Sequence, residues 1–273
     1  MSASREAVQA LAALERGERL FSAAKARLWL IGAAVLAFYV GSWHLAQGDL
    51  GRLATGLPKL GHWIASAWPP NVSELPLILL RTAETIAMAA IGTTAAVLLA
   101  LPMALLASRN ITPFPKLYHP ARAFLNALRG IDSFVFALLF VASVGLGPFA
   151  GVLGIALHTW GTAAKLIADY VESANLGPFH AVETTGAGRL TAVSYAVVPE
   201  VLPAALSTSL FLWEFNVRAS TVLGVVGAGG IGQELKNSMD LLDFPRLFTI
   251  IAVILVVVTA LDQFAAWLRR KLV

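Results

Sequence analysis

The stretch VLGVVGAGGIGQEL, residues 222–235, holds Gly227, Gly229 and Gly232 in the spacing G-x-G-x-x-G, directly after a β-branched run. That spacing is a dinucleotide fingerprint when a strand precedes it, a helix follows it and an acidic residue about 20 positions on meets the ribose. Here the preceding segment reads as a membrane helix, and the place of the acid falls in the apolar start of another. The glycines, Gly230 included, are instead expected to permit close backbone packing or an irregular turn, because glycine tolerates φ > 0. Such a turn is either a plain re-entrant loop or a docking or gating surface at the outer mouth, and both readings stand.

The other residues able to do chemistry are ionisable groups inside long apolar blocks: Glu84, Lys165, Asp169, Glu214, Arg218 and Asp262. Charges at such depth are costly and face an interior or water. Glu214 and Arg218 stand four apart with the acid first, the better helical order, and Lys165 and Asp169 are also four apart. Two readings are open: each pair neutralises itself and fixes helix packing, or Lys165 or Arg218 borders an anion path. His158, beside Thr159, Trp160 and Thr162, is expected to be a hydrogen-bonded packing residue, since a single His makes no metal site. The chain has no cysteine, which excludes disulfides, thiolate metal sites and a cysteine nucleophile. It also has no G-x-x-x-x-G-K-[ST], so no phosphate loop of its own is expected, and no catalytic residue, cofactor or metal site is assigned.

The elements that must position these groups follow from composition. Of 273 residues 58% are hydrophobic and only 13% are charged, about half the charge of a soluble domain. Blocks of about 20 apolar residues can cross a bilayer, and six are found, near 29–46, 77–107, 123–144, 149–171, 201–217 and 247–268. The expected class is an all-α, polytopic membrane helix bundle of about six transmembrane helices. GLGP at 145–148 should close the third and fourth spans into a tight antiparallel hairpin. The formal charge of +4 is not read as nucleic-acid binding, because the basic residues cluster beside the apolar blocks and so encode topology. With the amino terminus inside, 13 basic residues are cytoplasmic and six, Arg218 among them, are outer; both termini are then cytoplasmic. Residues 5–27 read as an amphipathic surface helix rather than a cleavable signal. Residues 1–76 form an amino-terminal element with the first span and an external segment, and 77–273 the transmembrane domain.

The longest cytoplasmic loop is NLGPFHAVETTGAGRLTAVSYAVVPEVLPA, 175–204. Pro178 suits a first helical turn with Asn175 as a cap; Gly186 and Gly188 break that helix, and a second short amphipathic stretch leads to Pro199. Here the chain resembles ABC importer permeases, whose cytoplasmic signature runs E-A-A, three residues, Gly, nine residues, Ile-x-Leu-Pro. The matching residues are His180-Ala181-Val182, then Glu183-Thr184-Thr185, then Gly186, and nine residues later Ala196-Val197-Val198-Pro199. His180 replaces the acidic residue of the pattern. ALRGIDSFVFALLFVASVGLGPFAGVLGIALHTWG and EFNVRASTVLGVVGAGGIG look like the phosphonate and phosphite class of these permeases, except that Asp132 stands where that class commonly has proline.

The resemblance covers about 77–268. It implies the five-helix permease core of type I importers in the bacterial inner membrane and import of a small phosphorus oxyanion. It implies as partners a second permease copy in a homodimer, two cytoplasmic ATPases that bind ATP and Mg, and a periplasmic or lipoprotein solute-binding protein. It also implies a coupling loop to the ATPases formed by Pro178, His180, Ala181, Glu183, Gly186, Arg189 and Pro199. The candidate path or gate comprises Lys165, His158, Glu214, Arg218 and the four glycines of the outer run. An ion-coupled secondary transporter would want an internal repeat, which is not visible, and an intramembrane enzyme would want paired catalytic groups at one depth.

Overall fold

A computed structural model describes residues 25–272. The surface helix expected over 5–27 lies, up to residue 24, outside the described residues. Among the described residues every regular element is helical. Their contacts divide the chain after His62.

The first unit holds α1 (Lys25–Leu45), apolar and long enough to cross a membrane, with none of its apolar window buried by protein. A short turn follows in which Asp49 Oδ1 accepts from the backbone N–H of Gly51 at 2.7 Å and of Arg52 at 3.2 Å, a side-chain cap for α2 (Leu50–Ser66), of which the residues up to His62 count in this unit. Leu50, Leu53, Leu57, Leu60 and Ile64 recur on one face of α2, while Arg52, Lys59 and His62 share the other.

The second unit is a bundle built on α3 (Leu75–Leu106), α4 (Pro115–Gly130), α5 (Ser133–Val144), α6 (Pro148–Ser173), α9 (Val198–Leu223) and α11 (Phe244–Leu272). Two short helices, α7 (Gly177–Thr184) and α8 (Arg189–Ala192), lie between α6 and α9, and α10 (Gly230–Asp240) lies between α9 and α11. A single π-turn at Val193–Val197 leads into α9, and the chain kinks as it leaves α9, where Val226 and Gly227 depart from helical geometry. α3 has 32 residues, about 48 Å at 1.5 Å per residue, longer than the ~30 Å hydrocarbon layer.

The span expected over 123–144 is not one helix. It breaks into α4 and α5, which meet at 84°. Ile131 is extended (φ −103°, ψ 126°), and Asp132 caps α5 by accepting from Phe134 N at 2.8 Å. An aspartate is a strong helix starter and a poor interior residue. It therefore begins α5 rather than continuing α4.

By length and composition α1, α3, the helix through α9 and α11 qualify as spans, and α4 with α5 makes a fifth if the bent pair counts as one. α6, expected as the fourth span, is not among them, although its 26 residues reach about 39 Å. It is the central helix, packed by α3, α4, α5 and α9, and protein takes the place of lipid around it. Small residues make that packing close. A Cβ on Gly154 would stand 2.8 Å from Ala137 N, one on Gly161 2.7 Å from Leu128 Cβ, and one on Gly92 of α3 2.9 Å from Ile155 Cγ2. At the centre, Asn216 donates to Thr93 Oγ1 (2.8 Å) and Thr159 Oγ1 (2.9 Å), joining α9 to α3 and α6.

Candidate functional site

The α6–α9 connection forms the first of the two short helices expected, α7; the second, expected to lead into Pro199, is instead the start of one continuous helix that runs from Arg189 through Val193–Val197 into α9. Asn175 Oδ1 accepts from Gly177 N at 2.9 Å, Asn175 N donates to Glu200 Oε1 at 2.9 Å, and Pro178 lies in the first turn of α7. α7 ends at Thr184, and Gly186 takes φ +84° with no atom near its missing side chain. That glycine is required by its backbone conformation and not by crowding. Phe179 is buried in the cluster of Ile167, Val171, Val193 and Val197, which anchors α7 to the bundle. Pro178, His180, Ala181, Glu183, Gly186, Arg189 and Pro199 are all exposed, with His180 Nδ1 3.4 Å from Glu183 Oε2. Sequence reading missed Leu190 and Tyr195, each 77% exposed on the same connection. The available signal was their position off the face shared by Ala192, Val193, Ala196 and Val197.

The glycine run builds a corner at the other end of the bundle. Gly227 has φ +93°, Gly229 +76° and Gly230 +71°. Gly227 O accepts from Gly147 N at 2.9 Å, and Gly229 lies against Pro148, with a Cβ there 3.0 Å from Pro148 Cγ. Gly230 meets Thr85 Oγ1 and Gly232 meets the Thr221 carbonyl, both so closely that a side chain would collide. The N–H of Ile231 in the first turn of α10 donates to Thr85 Oγ1 at 2.9 Å. The start of α10 is therefore occupied by protein, and the run joins α3, the α5–α6 turn and α9. Next to it, Arg246 of α11 reaches Glu234 (2.7 Å) and Glu74 (2.8 Å), while Arg81 reaches Glu84 (2.9 Å) and Glu234 (3.4 Å).

Glu214 and Arg218 are paired as expected, 3.0 Å apart, but within a larger group. Arg218 also meets Asp262 at 3.0 Å, and Glu214 also meets Arg269 at 3.0 Å. Arg218 thus shares a level with Arg269 near the carboxyl end of α11, and its assignment to the outer charges is corrected. Lys165 and Asp169 do not pair with each other. Asp169 binds Arg122 of α4 at 2.9 Å, and Glu172 binds the same guanidinium at 2.9 Å. Arg122, one helix away, reaches both acids at once, which a lysine on their own helix does not.

Lys165 turns to α4 and donates to Asn126 Oδ1 at 2.6 Å. Two turns earlier on α6, His158 Nδ1 donates to Ile131 O at 2.8 Å, a carbonyl freed by the α4–α5 break. Between these contacts the α4 backbone presses on Gly161, where a Cβ would stand 2.9 Å from Arg129 N. The α4–α6 crossing therefore carries Asn126, Arg129, His158 and Lys165 in one seam, with Asn126 and Arg129 exposed. By contrast, a groove of about 570 Å³ beside α3 and α9, lined by Thr94, Val97, Leu206, Leu210, Trp213 and Leu268, is apolar and carries no cation. Among the described residues no cluster of His, Asp and Glu is suited to a metal ion.

Residues 92–273 match the family described as binding-protein-dependent transport system inner membrane component. The chain is 44% identical over 247 residues to HtxC of Stutzerimonas stutzeri, which is named for a phosphite transport system permease; the match covers 90% of this chain and 88% of HtxC. It is 36% identical over 243 residues to the phosphite transport system permease protein PtxC of the same organism, covering 88% of each. Among solved structures, the MetNI methionine ABC transporter in inward-facing form superposes with a TM-score of 0.64 at 19% identity, over 74% of this chain and 99% of that one.

Proposed function

The chain belongs to the family of binding-protein-dependent transport system inner membrane components, and on that premise we propose that it is the permease through which an ATP-driven importer passes a small phosphorus oxyanion. The observation that carries the substrate class is the 44% identity to a permease named for phosphite, sustained over nine-tenths of the chain. The same relationship favours ATP-driven over ion-coupled transport.

The chain itself catalyses no reaction in this reading. ATP and Mg are held by two cytoplasmic ATPases, and a solute-binding protein delivers the anion from outside to a homodimer of permeases. Residues 77–273 form the transport core and 1–76 an addition to it. The exposed side of α7 and α8 is the coupling surface: Pro178, His180, Ala181, Glu183, Gly186, Arg189 and Pro199, joined by Leu190 and Tyr195, whose exposed apolar side chains would otherwise lie in water. Force on this surface reaches the bundle through Phe179, which is 3% exposed within the core where α3, α6 and α9 meet. Both termini lie in the cytoplasm.

The test is reconstitution of the complex in proteoliposomes with its ATPase and binding protein. ATP-dependent accumulation of labelled phosphite, competed by hypophosphite or methylphosphonate, is expected. Import of methionine or sulfate with no phosphite uptake would overturn the substrate class.

A further inference from the structure

Among the described residues, five basic side chains lie in the interior of the bundle helices, with α4 and α5 taken as one broken segment: Arg81, Arg122, Arg129, Lys165 and Arg218. Three of them each bridge two carboxylates: Arg81 with Glu84 and Glu234, Arg122 with Asp169 and Glu172, Arg218 with Glu214 and Asp262. Arg129 and Lys165 meet none. Lys165 has only the neutral Asn126 oxygen at 2.6 Å. Both cations belong to the α4–α6 seam, where Arg129 is backed by Gly161, one turn of α6 from Lys165. A fold that neutralises its other interior cations twice over leaves these two without counter-charge at one helix crossing.

Uncompensated cations are not left against hydrocarbon; they face water or an anion. The helix break adds to this character, because it exposes the Ile131 carbonyl and holds His158 by Nδ1, leaving Nε2 as the ring's remaining polar atom. We infer that the α4–α6 seam is an anion site on the transport path, in which Arg129 and Lys165, assisted by His158 and Asn126, hold the phosphorus oxyanion in transit. The inference rests on the proposed import of such an anion and assigns residues to it. Arg129 and Lys165 supply charge-assisted donors to phosphoryl oxygens, and arginine can do so in bidentate fashion. Beyond Lys165, Arg122 is already matched by Asp169 and Glu172, so attraction ends there and the anion can leave, as conduction requires. Glu214 and Arg218 saturate each other's neighbourhood and are excluded from the site.

The natural chain has no cysteine, so Arg129→Cys and Lys165→Cys each introduce one thiol per permease copy, and labelling is read on the permease band of the reconstituted complex. The probes are two water-soluble methanethiosulfonates, one carrying a sulfonate and one a trimethylammonium group. Both variants should label with both reagents, and saturating phosphite should slow labelling at least fivefold. Phosphite uptake should fall at least tenfold in each variant and recover in part with the cationic reagent only. Absence of labelling both without nucleotide and with ATP would place the residues against lipid or protein and overturn the site. So would labelling that leaves uptake unchanged. Should a cysteine variant fail to assemble, Arg129→Gln and Arg129→Lys are compared: loss of uptake in the first with retention in the second is expected, and full uptake by Arg129→Gln refutes the assignment. Protection by sulfate alone, with sulfate imported, would keep the seam and discard the phosphorus substrate. Phosphite import without protection by any anion would do the reverse.

Discussion

Replacing Arg218 by glutamine removes one cation from a group of two acids and two bases held by three contacts of 3.0 Å. Two charges about 4 Å apart attract by roughly 4 kcal/mol at an effective dielectric of 20. The Arg218 and Asp262 side chains are each 41% exposed, so protein does not enclose that contact, and the net loss is discounted to about 1 kcal/mol. Glu214 is only 12% exposed, and in this variant it keeps Arg269. Arg218→Gln should therefore cost about 1–2 kcal/mol and leave Asp262 as the unpaired group. A second change to Asp262→Asn should restore most of the loss, because the Glu214–Arg269 pair survives intact. A second change to Glu214→Gln should restore little, because Asp262 and Arg269 are then both orphaned. The expected coupling between Arg218 and Asp262 lies within the 0.5–3 kcal/mol found for residues in contact. The measurement is thermal unfolding of the detergent-solubilised protein beside its steady-state level in membranes. A local helical pair alone would make Glu214→Gln the better rescue. If that double variant recovers more than the Asp262 double variant, the four-membered group does not govern this region.

At the glycine corner, Gly230→Ala should lower membrane levels and uptake, since its φ of +71° is unfavourable and its Cβ meets Thr85 Oγ1; Gly188→Ala, with open space around it, should match wild type in both measurements. In the coupling loop, Gly186→Val should cost about 1–2 kcal/mol through its left-handed backbone and reduce recovery of the ATPase on pull-down, whereas Gly186→Asn should retain it. Asn216→Ala should cost about 2 kcal/mol, from two interhelical hydrogen bonds averaging ~0.6 kcal/mol each in a membrane and the void left behind, read as a lowered unfolding temperature in detergent.

The helical class, the approximate position of most spans and the short helix α7 with its glycine end could be read from sequence because they depend on local signals: apolar length, Pro178, and the glycines at 186 and 188; that the stretch after Gly188 runs unbroken into α9 could not. The glycine run could also be separated from a nucleotide loop, because the missing strand and acid are themselves local. What lay in its place could not be read. Thr85, Pro148 and Thr221 come from three separate elements, and nothing near residue 230 names them. The third span was misjudged because hydropathy averages over Ile131 and Asp132, while the break depends on one aspartate finding the Phe134 N–H.

Charge pairing shows the same limit more sharply. Spacing four apart suggested both Glu214 with Arg218, which pair, and Lys165 with Asp169, which do not; the acid-first order of the first pair is a local difference between them, but it does not name the partners that Lys165 and Asp169 take instead. The difference arises across helices: Arg122, 47 residues from Asp169, comes within 2.9 Å of it and takes Glu172 as well. With Asp169 engaged, Lys165 is left to Asn126, and the deficit of negative charge on that face becomes a property of the assembled bundle. Arg129 was hidden for the same reason. In sequence it counts among many basic residues on the cytoplasmic side. Only when α4 packs its backbone on Gly161 does Arg129 come to the same helix crossing as the other unmatched cation, so the feature that singles it out is an imbalance among partners, which no single segment contains.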